Sequence, residues 1–169
     1  NQLVLHKEHE VVDDVVNQAV SHMSRIIQNR PFDVSLPEEV ISVEMDGKLI
    51  VQVIINLLDN AIKHTSPGSG IALKASVTDN SAVFEVSDKG AGLDEETMNV
   101  LFKGRAEPTN YVVDARRGMG MGLVICRAIV EAHGGKIWAE NIEGGGAKFA
   151  FSLPAEGAEH GGCTDHIDH

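Results

Sequence analysis

Residues 46–64, DGKLIVQVIINLLDNAIKH, are the stretch that decides the fold. Read at helical spacing, its apolar and polar residues separate onto two opposite arcs. The apolar arc contains Ile50, Val53, Ile54, Leu57, Leu58, Ala61 and Ile62. The polar arc contains Gln52, Asn56, Asp59, Asn60 and Lys63. The pattern therefore predicts an amphipathic helix that is buried along one side.

Two asparagines stand in register on the polar arc of this helix. Asn56 and Asn60 are four residues apart, so their side chains stack on one face. Asparagine is a poor residue inside a helix, because its amide competes for backbone hydrogen bonds. A carboxamide oxygen can ligate Mg²⁺, and Lys63, one turn on, can meet a phosphate. The alternative is a solvated polar face, and this stretch alone leaves both interpretations open.

Composition limits the class of protein. The chain has 169 residues, 43% of them apolar, which suits one domain with a core. Its net charge of −11 argues against a non-specific nucleic-acid binder. Two cysteines, Cys126 and Cys163, are too few for a disulfide framework and fit a reducing, cytoplasmic setting. No membrane span or signal peptide is visible, so we expect a soluble piece of protein.

The remaining periodicities predict the other elements. A helix is expected over 8–29, short strands over 32–36 and 41–45, a β-hairpin over 71–86, a helix over 118–133 and a second hairpin over 137–153. This order predicts an α+β two-layer sandwich with a mixed, mostly antiparallel sheet and helices on one face. Three regions are expected: a leading segment at 1–7, the domain at 8–154 and a disordered tail at 155–169.

A loop without sustained periodicity occupies residues 103–117, after a short helix predicted at 95–101. Loops of this length inside a compact domain are uncommon and are often functional. We therefore expect 103–117 to form a lid over the neighbouring site.

Asp88 follows a buried strand and opens the sequence D-x-G-x-G with Gly90 and Gly92. A carboxylate at a strand end can accept a hydrogen bond from an exocyclic amine such as that of adenine. The glycines would let the backbone approach a flat ring. Asp and Gly are also ordinary turn residues, and taken alone this motif favours a plain turn.

Gly118, Gly120 and Gly122 stand where the last long helix begins. Helix N-termini bind phosphate through unpaired N–H groups and the helix dipole. Three glycines there cost stability, which favours a functional reason, although a flexible hinge is the alternative. The spacing matches neither a Rossmann fingerprint nor a P-loop, and the motifs of eukaryotic protein kinases are absent from the sequence.

Taken together and in order, these motifs are more specific than any one of them. An N-L-L-D-N-A helix, D-x-G-x-G, G-x-G-x-G-L and a Gly-rich final hairpin resemble the ATP-binding catalytic domain of bacterial sensor histidine kinases. That family belongs to the Bergerat-fold superfamily, shared with gyrase, HSP90 and the MutL proteins. The resemblance covers about residues 3–154. The wording MDGKLIVQVIINLLDNA, together with Ala147, is most similar to potassium-responsive sensors of the Kdp type.

The resemblance implies a role for each motif. Asn60 would ligate Mg²⁺ with help from Asn56, Lys63 would join these two in catalysis, and Asp88 would read the adenine amine. The complete set implied for ATP binding is Asn56, Asn60, Lys63, His64, Asp88, Gly90, Gly92, Leu93, Phe102, Gly118, Gly120, Gly122, Leu123 and Ala147.

The sequence departs from the family pattern at several positions. The F-box around Phe102 lacks a second aromatic residue, Ala147 stands where threonine is common, and His64 stands where tyrosine is common. Hydrolysing members of the superfamily carry a glutamate where this chain has Asn56. An amide cannot take a proton from water at neutral pH, so hydrolysis by that route is disfavoured.

The implied function is transfer of the γ-phosphoryl group of Mg·ATP to a histidine on a separate dimerisation domain, which would then serve a response regulator. His6 and His9 read as ordinary surface histidines, so this chain alone is not expected to autophosphorylate. The resemblance implies a cytoplasmic domain and leaves open whether its parent is an inner-membrane sensor. Two alternatives remain: an anti-sigma-type serine kinase of the same fold, and a non-catalytic nucleotide-responsive binding module.

Overall fold

The computed structural model of the protein describes residues 3–78, 80–93, 120–155 and 159–160. Its elements, in chain order, are β1 (Glu8–Val11), α1 (Val12–His22), α2 (Ser24–Ile27), β2 (Phe32–Ser35), β3 (Ile41–Met45), α3 (Gly47–Lys63), β4 (Ile71–Val77), β5 (Ser81–Asp88), α4 (Gly120–Ala132), β6 (Lys136–Asn141), β7 (Ala147–Pro154) and β8 (Glu159–His160).

A five-stranded sheet forms one layer of the domain, in the order β2-β4-β5-β7-β6. β2 runs parallel to β4, and the other neighbours are antiparallel. Alternate residues of β5 are buried, and Phe84 stacks on Phe151 of β7 with ring centroids 4.8 Å apart. α3 contacts β5, α4 contacts β6 and β7, and α1 packs on α3. The predicted two-layer α+β architecture and both hairpins are confirmed.

α3 is the central helix of the second layer, as its sequence predicts. Asp46 caps it, because a side-chain oxygen of Asp46 accepts a hydrogen bond from the backbone N–H of Leu49 at 3.4 Å. Six residues of the predicted apolar arc are buried: Ile50, Val53, Ile54, Leu57, Leu58 and Ala61. The apolar arc of α3 therefore lies at the centre of the core, and Asn56 and Asn60 are not needed for this apolar packing.

The N-terminal helix prediction is wrong for residues 8–11. These residues form β1, which pairs antiparallel with β3 in a small second sheet of order β1-β3-β8. The helix begins only at Val12, and Asp13 and Asp14 occupy its first turn, where the helix dipole favours negative charge. It breaks at Met23, yet Met23 and Ile27 stay buried, which is why the helical spacing of apolar residues continues through the break.

The predicted disorder of the tail is wrong at its start. Ala155 is buried, and its N–H donates to the carbonyl oxygen of Asn80 at 3.0 Å. Glu159 and His160 pair with Ser42 and Ile41 as β8. This part of the tail adds to the small sheet because β3 offers it an unpaired edge.

The helix predicted at 118–133 is observed as α4, which ends at Ala132. Gly134, two residues later, has a φ of +79°. The predicted short helix at 95–101, the lid at 103–117, Phe102 and Gly118 lie outside the described residues. None of the described helices is both long and apolar enough to cross a membrane.

Candidate functional site

Asn60 is a buried polar residue on the otherwise apolar inner part of α3. Its side chain is 6% exposed, and its amide nitrogen has no hydrogen-bond partner among the described residues. Leaving a buried polar atom unpaired costs on the order of 1–3 kcal/mol. A carboxamide that presents a free end at this depth is therefore suited to a ligand that binds through it. A 180° turn of the amide exchanges oxygen and nitrogen, so either atom can face that ligand.

Asn56 lies one turn before Asn60, and its side chain lies next to Gly122 in the first turn of α4. Its side-chain oxygen accepts a hydrogen bond from Gln52 at 3.1 Å. A β-carbon placed on Gly122 would lie 3.7 Å from the Asn56 carboxamide carbon, so the glycine passes directly over this side chain. The structure thus places Gly122, the last glycine of the G-x-G-x-G motif, beside Asn56 on α3.

Cys126 fixes α4 against α3 one turn beyond that contact. Its thiol donates a hydrogen bond to the carbonyl oxygen of Val53 at 3.8 Å. It also forms a hydrogen bond with the Asn56 side chain. Burial raises the pKa of the Cys126 thiol to about 12, and the bond to Asn56 offsets only part of that rise. The thiol is therefore a packed, protonated anchor between the two helices.

Asp88 ends β5 with its carboxylate held in place by the backbone. One oxygen, Oδ1, accepts from the N–H of Gly90 at 2.9 Å and from the N–H of Ala147 at 3.3 Å. The residue is 7% exposed and shares the buried phase of β5 with Val86, on the side covered by helices. No described residue occupies the other oxygen, Oδ2, which can accept a hydrogen bond from a ligand amine.

The glycines of D-x-G-x-G let the loop after Asp88 fit between two neighbours. A β-carbon on Gly90 would come within 3.0 Å of the Thr65 methyl group, just past the end of α3. Gly92 has a φ of +81°, and a β-carbon there would lie 2.9 Å from Oδ1 of Asn141. Gly92 therefore requires glycine for conformation as well as space, whereas at Gly90 a β-carbon would fit only if the Thr65 side chain shifted by a few tenths of an ångström.

Asn141, at the end of β6, binds this loop from the other side. Its Oδ1 accepts from the N–H of Leu93 and its Nδ2 donates to the carbonyl of Leu93, both at 2.7 Å. Sequence reasoning missed Asn141, and also Thr65, which accepts from Arg30 at 2.8 Å. The available signal for Asn141 was weak: a polar amide directly before a Gly-rich turn.

Other predicted residues have different surroundings. Lys63 is 61% exposed and its ammonium group pairs with Asp59 at 2.8 Å, so a phosphate would have to compete with that carboxylate. His64 is the exposed C-cap residue of α3. Leu123 is buried in the core, and Ala147 is buried beside Asp88.

A cleft of about 500 Å³ opens on the opposite face of the sheet. Outward-facing Ala72 and Ser87 line it, together with Lys89 and the turn at Gly144 and Gly145. Asp88 and Gly90 also border the cleft. The Asp88 carboxylate nevertheless belongs to the helix-covered side of β5, so the cleft lies on the other side of the sheet from this carboxylate.

Comparisons with known proteins agree with the motifs. Residues 45–157 match the profile of the histidine kinase-, DNA gyrase B- and HSP90-like ATPase family. Sensor protein KdpD of Clostridium acetobutylicum is 47% identical over 150 residues, which are 89% of this chain and 17% of that protein. The chain therefore corresponds to a small part of this curated relative.

Solved structures give the same result at the level of the fold. The nucleotide-free catalytic domain of histidine kinase ThkA superposes with a TM-score of 0.76 at 29% identity, covering 89% of this chain and 99% of that one. ThkA solved in complex with the response regulator TrrA gives a TM-score of 0.71 at 27% identity, covering 89% of this chain and 41% of that one.

Proposed function

The chain belongs to the histidine kinase-, DNA gyrase B- and HSP90-like ATPase family, as a histidine kinase catalytic domain of the Kdp-like kind, and we propose how its site works. It binds Mg·ATP between α3, the D-x-G-x-G loop and the start of α4, and delivers the γ-phosphoryl group to a histidine on a separate dimerisation domain. The histidine kinase comparisons favour this function over an anti-sigma-type serine kinase or a non-catalytic binding module.

The observation that carries the proposal is the fixed carboxylate of Asp88. Two backbone N–H groups hold its Oδ1, which leaves Oδ2 to accept from the exocyclic amine of adenine. Because the carboxylate is already oriented and buried, it loses little freedom when the base binds. Guanine presents a carbonyl at the corresponding position, which would face the carboxylate unfavourably, so the site should prefer ATP to GTP.

Asn60 is suited to act as a ligand to Mg²⁺. Its buried carboxamide has an end without a partner, and amide oxygens suit this hard cation, with Asn56 one turn away to assist. Bound Mg²⁺ would neutralise charge on the phosphates of ATP. The chain itself supplies the oxygen ligand on α3 and the backbone N–H groups at the start of α4.

Asn56 favours transfer over hydrolysis. Its amide accepts from Gln52 and cannot act as a general base toward water. The contribution of the site is then to position the triphosphate and neutralise its charge while an external acceptor attacks. The acceptor histidine, the response regulator reached through it and a cytoplasmic location below a membrane-bound parent are parts of this proposal. ThkA, a structural neighbour, has been solved with its response regulator.

Calorimetric titration with ATP and GTP tests the nucleotide site. We expect Mg²⁺-dependent binding of ATP in preference to GTP, and loss of that preference in Asp88→Ala. Undiminished ATP binding by Asp88→Ala would refute the base assignment. A second assay adds a dimerisation domain that carries the acceptor histidine, together with radiolabelled ATP. Label on that domain supports the kinase, whereas ATP binding with no transfer would return the non-catalytic module to favour.

A further inference from the structure

We infer that Asn141 is a positioning residue for base recognition, acting through the backbone of Leu93 on the loop that begins at Asp88. The inference rests on the proposed function and adds to it a residue outside the motifs that define the site. Asn141 does not need to touch the nucleotide in this role. It fixes the far end of the loop so that the Asp88 carboxylate and Gly90 stay in the geometry that reads adenine.

The contact is two-sided and short. The carboxamide of Asn141 accepts from the Leu93 N–H and donates to the Leu93 carbonyl, each at 2.7 Å, across 48 residues of sequence. Those distances lie at the short end of the usual range for N–H···O hydrogen bonds. An amide side chain that satisfies both backbone groups of one residue imitates a strand neighbour. Leu93 is thereby joined to the end of β6.

The contact also closes a ring of interactions around the site. Asn141 pairs with Ala147 across β6 and β7, and the N–H of Ala147 donates to Oδ1 of Asp88 at 3.3 Å. From Asp88 the chain runs through Gly90 to Leu93, which returns to Asn141. The loop is therefore held at its first residue by β7 and at its sixth by β6. Among the contacts of the described residues, removing Asn141 would leave the attachment at Asp88.

Gly92 supports this interpretation. At this glycine the nearest neighbour of an added β-carbon would be Oδ1 of Asn141, at 2.9 Å. The second glycine of D-x-G-x-G thus makes room for the Asn141 carboxamide to reach Leu93. Gly92 and Asn141, 49 positions apart in the sequence, therefore depend on each other for this contact.

Asn141 and Leu93 lie near the surface, so water can replace the lost hydrogen bonds in a truncated variant. We therefore expect Asn141→Ala to leave global stability nearly unchanged and to loosen the loop. The loss should fall on recognition of the base, since the triphosphate is held elsewhere, at α3 and α4.

The test compares ATP with ITP, which carries an oxygen in place of the exocyclic amine. Calorimetry is run on the unchanged chain, Asn141→Ala, Asp88→Ala and the control Glu143→Ala, an exposed position of the same turn. In Asn141→Ala we expect ATP affinity to fall about tenfold, as for two lost hydrogen bonds, and ITP affinity to change by less than about twofold. Glu143→Ala should match the unchanged chain. Amide exchange at Leu93 should be fast in Asn141→Ala alone.

The outcomes separate the two levels of the proposal. If Asp88→Ala loses its preference for ATP over ITP and Asn141→Ala keeps it, the positioning role is wrong and the proposed function stands. Equal losses of ATP and ITP affinity in Asn141→Ala would mean a general structural defect and would also overturn the role. If the unchanged chain binds no ATP, the proposed function fails first and the inference falls with it.

Discussion

The backbone N–H of Asp46 donates a 3.0 Å hydrogen bond to Nε2 of His133, 87 residues further along the chain. The other ring nitrogen, Nδ1, lies 2.7 Å from the carbonyl oxygen of Ile129, which can only accept. Nδ1 must therefore carry the proton, and the imidazole is neutral. His133 is 5% exposed, so this ring joins the end of α4 to the N-cap of α3 inside the protein.

We predict that His133→Ala destabilises the domain by about 2–4 kcal/mol, because it leaves a cavity and an unpaired N–H at Asp46. Urea unfolding followed by circular dichroism measures this. His22→Ala is the matched control, since His22 is exposed at the end of α1, and it should change stability by less than about 0.5 kcal/mol. Equal unfolding midpoints for the two variants would show that the Asp46–His133 bond contributes little.

Two glycines of the β6–β7 turn should respond differently to substitution. Gly144 and Gly146 have φ values of +91° and +103°, so alanine is strained at both. At Gly144 an added β-carbon meets no atom within 4 Å, whereas at Gly146 it would overlap the carbonyl oxygen of Asp88.

We therefore expect Gly144→Ala to cost about 1–2 kcal/mol from conformation alone. Gly146→Ala should cost more than about 3 kcal/mol, since overpacking adds to the strain, and should abolish ATP binding by displacing Asp88. Thermal unfolding and ATP titration of both variants test this. An equal cost at the two positions would contradict the close packing of Gly146 on Asp88.

The parts of the fold that the sequence predicts are those with a local signal. α3 has a strong helical period and a capping Asp46, and the hairpins alternate cleanly, so each was identified from its own residues. β1 was not, because Val11 continues the helical spacing of Val12 and Val15 while its strand partner lies more than 30 residues away on β3. A strand that forms because it pairs with a distant segment need not show a strand pattern in its own residues.

The same distinction applies to the site. Asn56, Asn60 and Asp88 can be proposed from the sequence because their types are unusual at those places or match a family motif. Asn141 was missed, since its function depends on meeting Leu93, and that contact appears only once β6 and the D-x-G-x-G loop are folded together. Lys63 stays a predicted phosphate contact, and the structure adds that its ammonium group pairs with Asp59, four residues earlier on α3.

The Cys126 thiol should resist alkylation in the folded protein. Burial raises its pKa to about 12, so at pH 8 the thiol is neither ionised nor accessible. We expect iodoacetamide at pH 8 to modify Cys126 only in denaturant, as read by peptide mass spectrometry. A thiol protonated more tightly in the folded state adds stability below pH 9, and that contribution is lost as pH rises toward 12.

Cys126→Ala is the control for this pH dependence. The unchanged chain should lose stability between pH 9 and pH 11 more steeply than the variant, because only its unfolded state releases the thiol proton in that range. Rapid labelling of folded Cys126 at pH 8, or identical pH profiles for the two proteins, would show that the thiol is not held as the structure indicates.

Asn60→Ala should separate the metal from the fold. The Asn60 amide nitrogen is buried without a partner among the described residues, so its removal relieves a cost of on the order of 1 kcal/mol. The truncation also leaves a small cavity, and we expect the two effects nearly to cancel in urea unfolding.

ATP binding by Asn60→Ala should change, although its stability does not. In the unchanged chain, replacing Mg²⁺ with EDTA should weaken ATP binding at least about tenfold, whereas in Asn60→Ala the two conditions should agree within about threefold. Asn17→Ala, which removes an exposed asparagine of α1, should retain the full magnesium effect. If Asn60→Ala keeps that effect, the metal has another ligand; if it unfolds the domain, the Asn60 amide has a structural partner and its place as a ligand to Mg²⁺ is wrong.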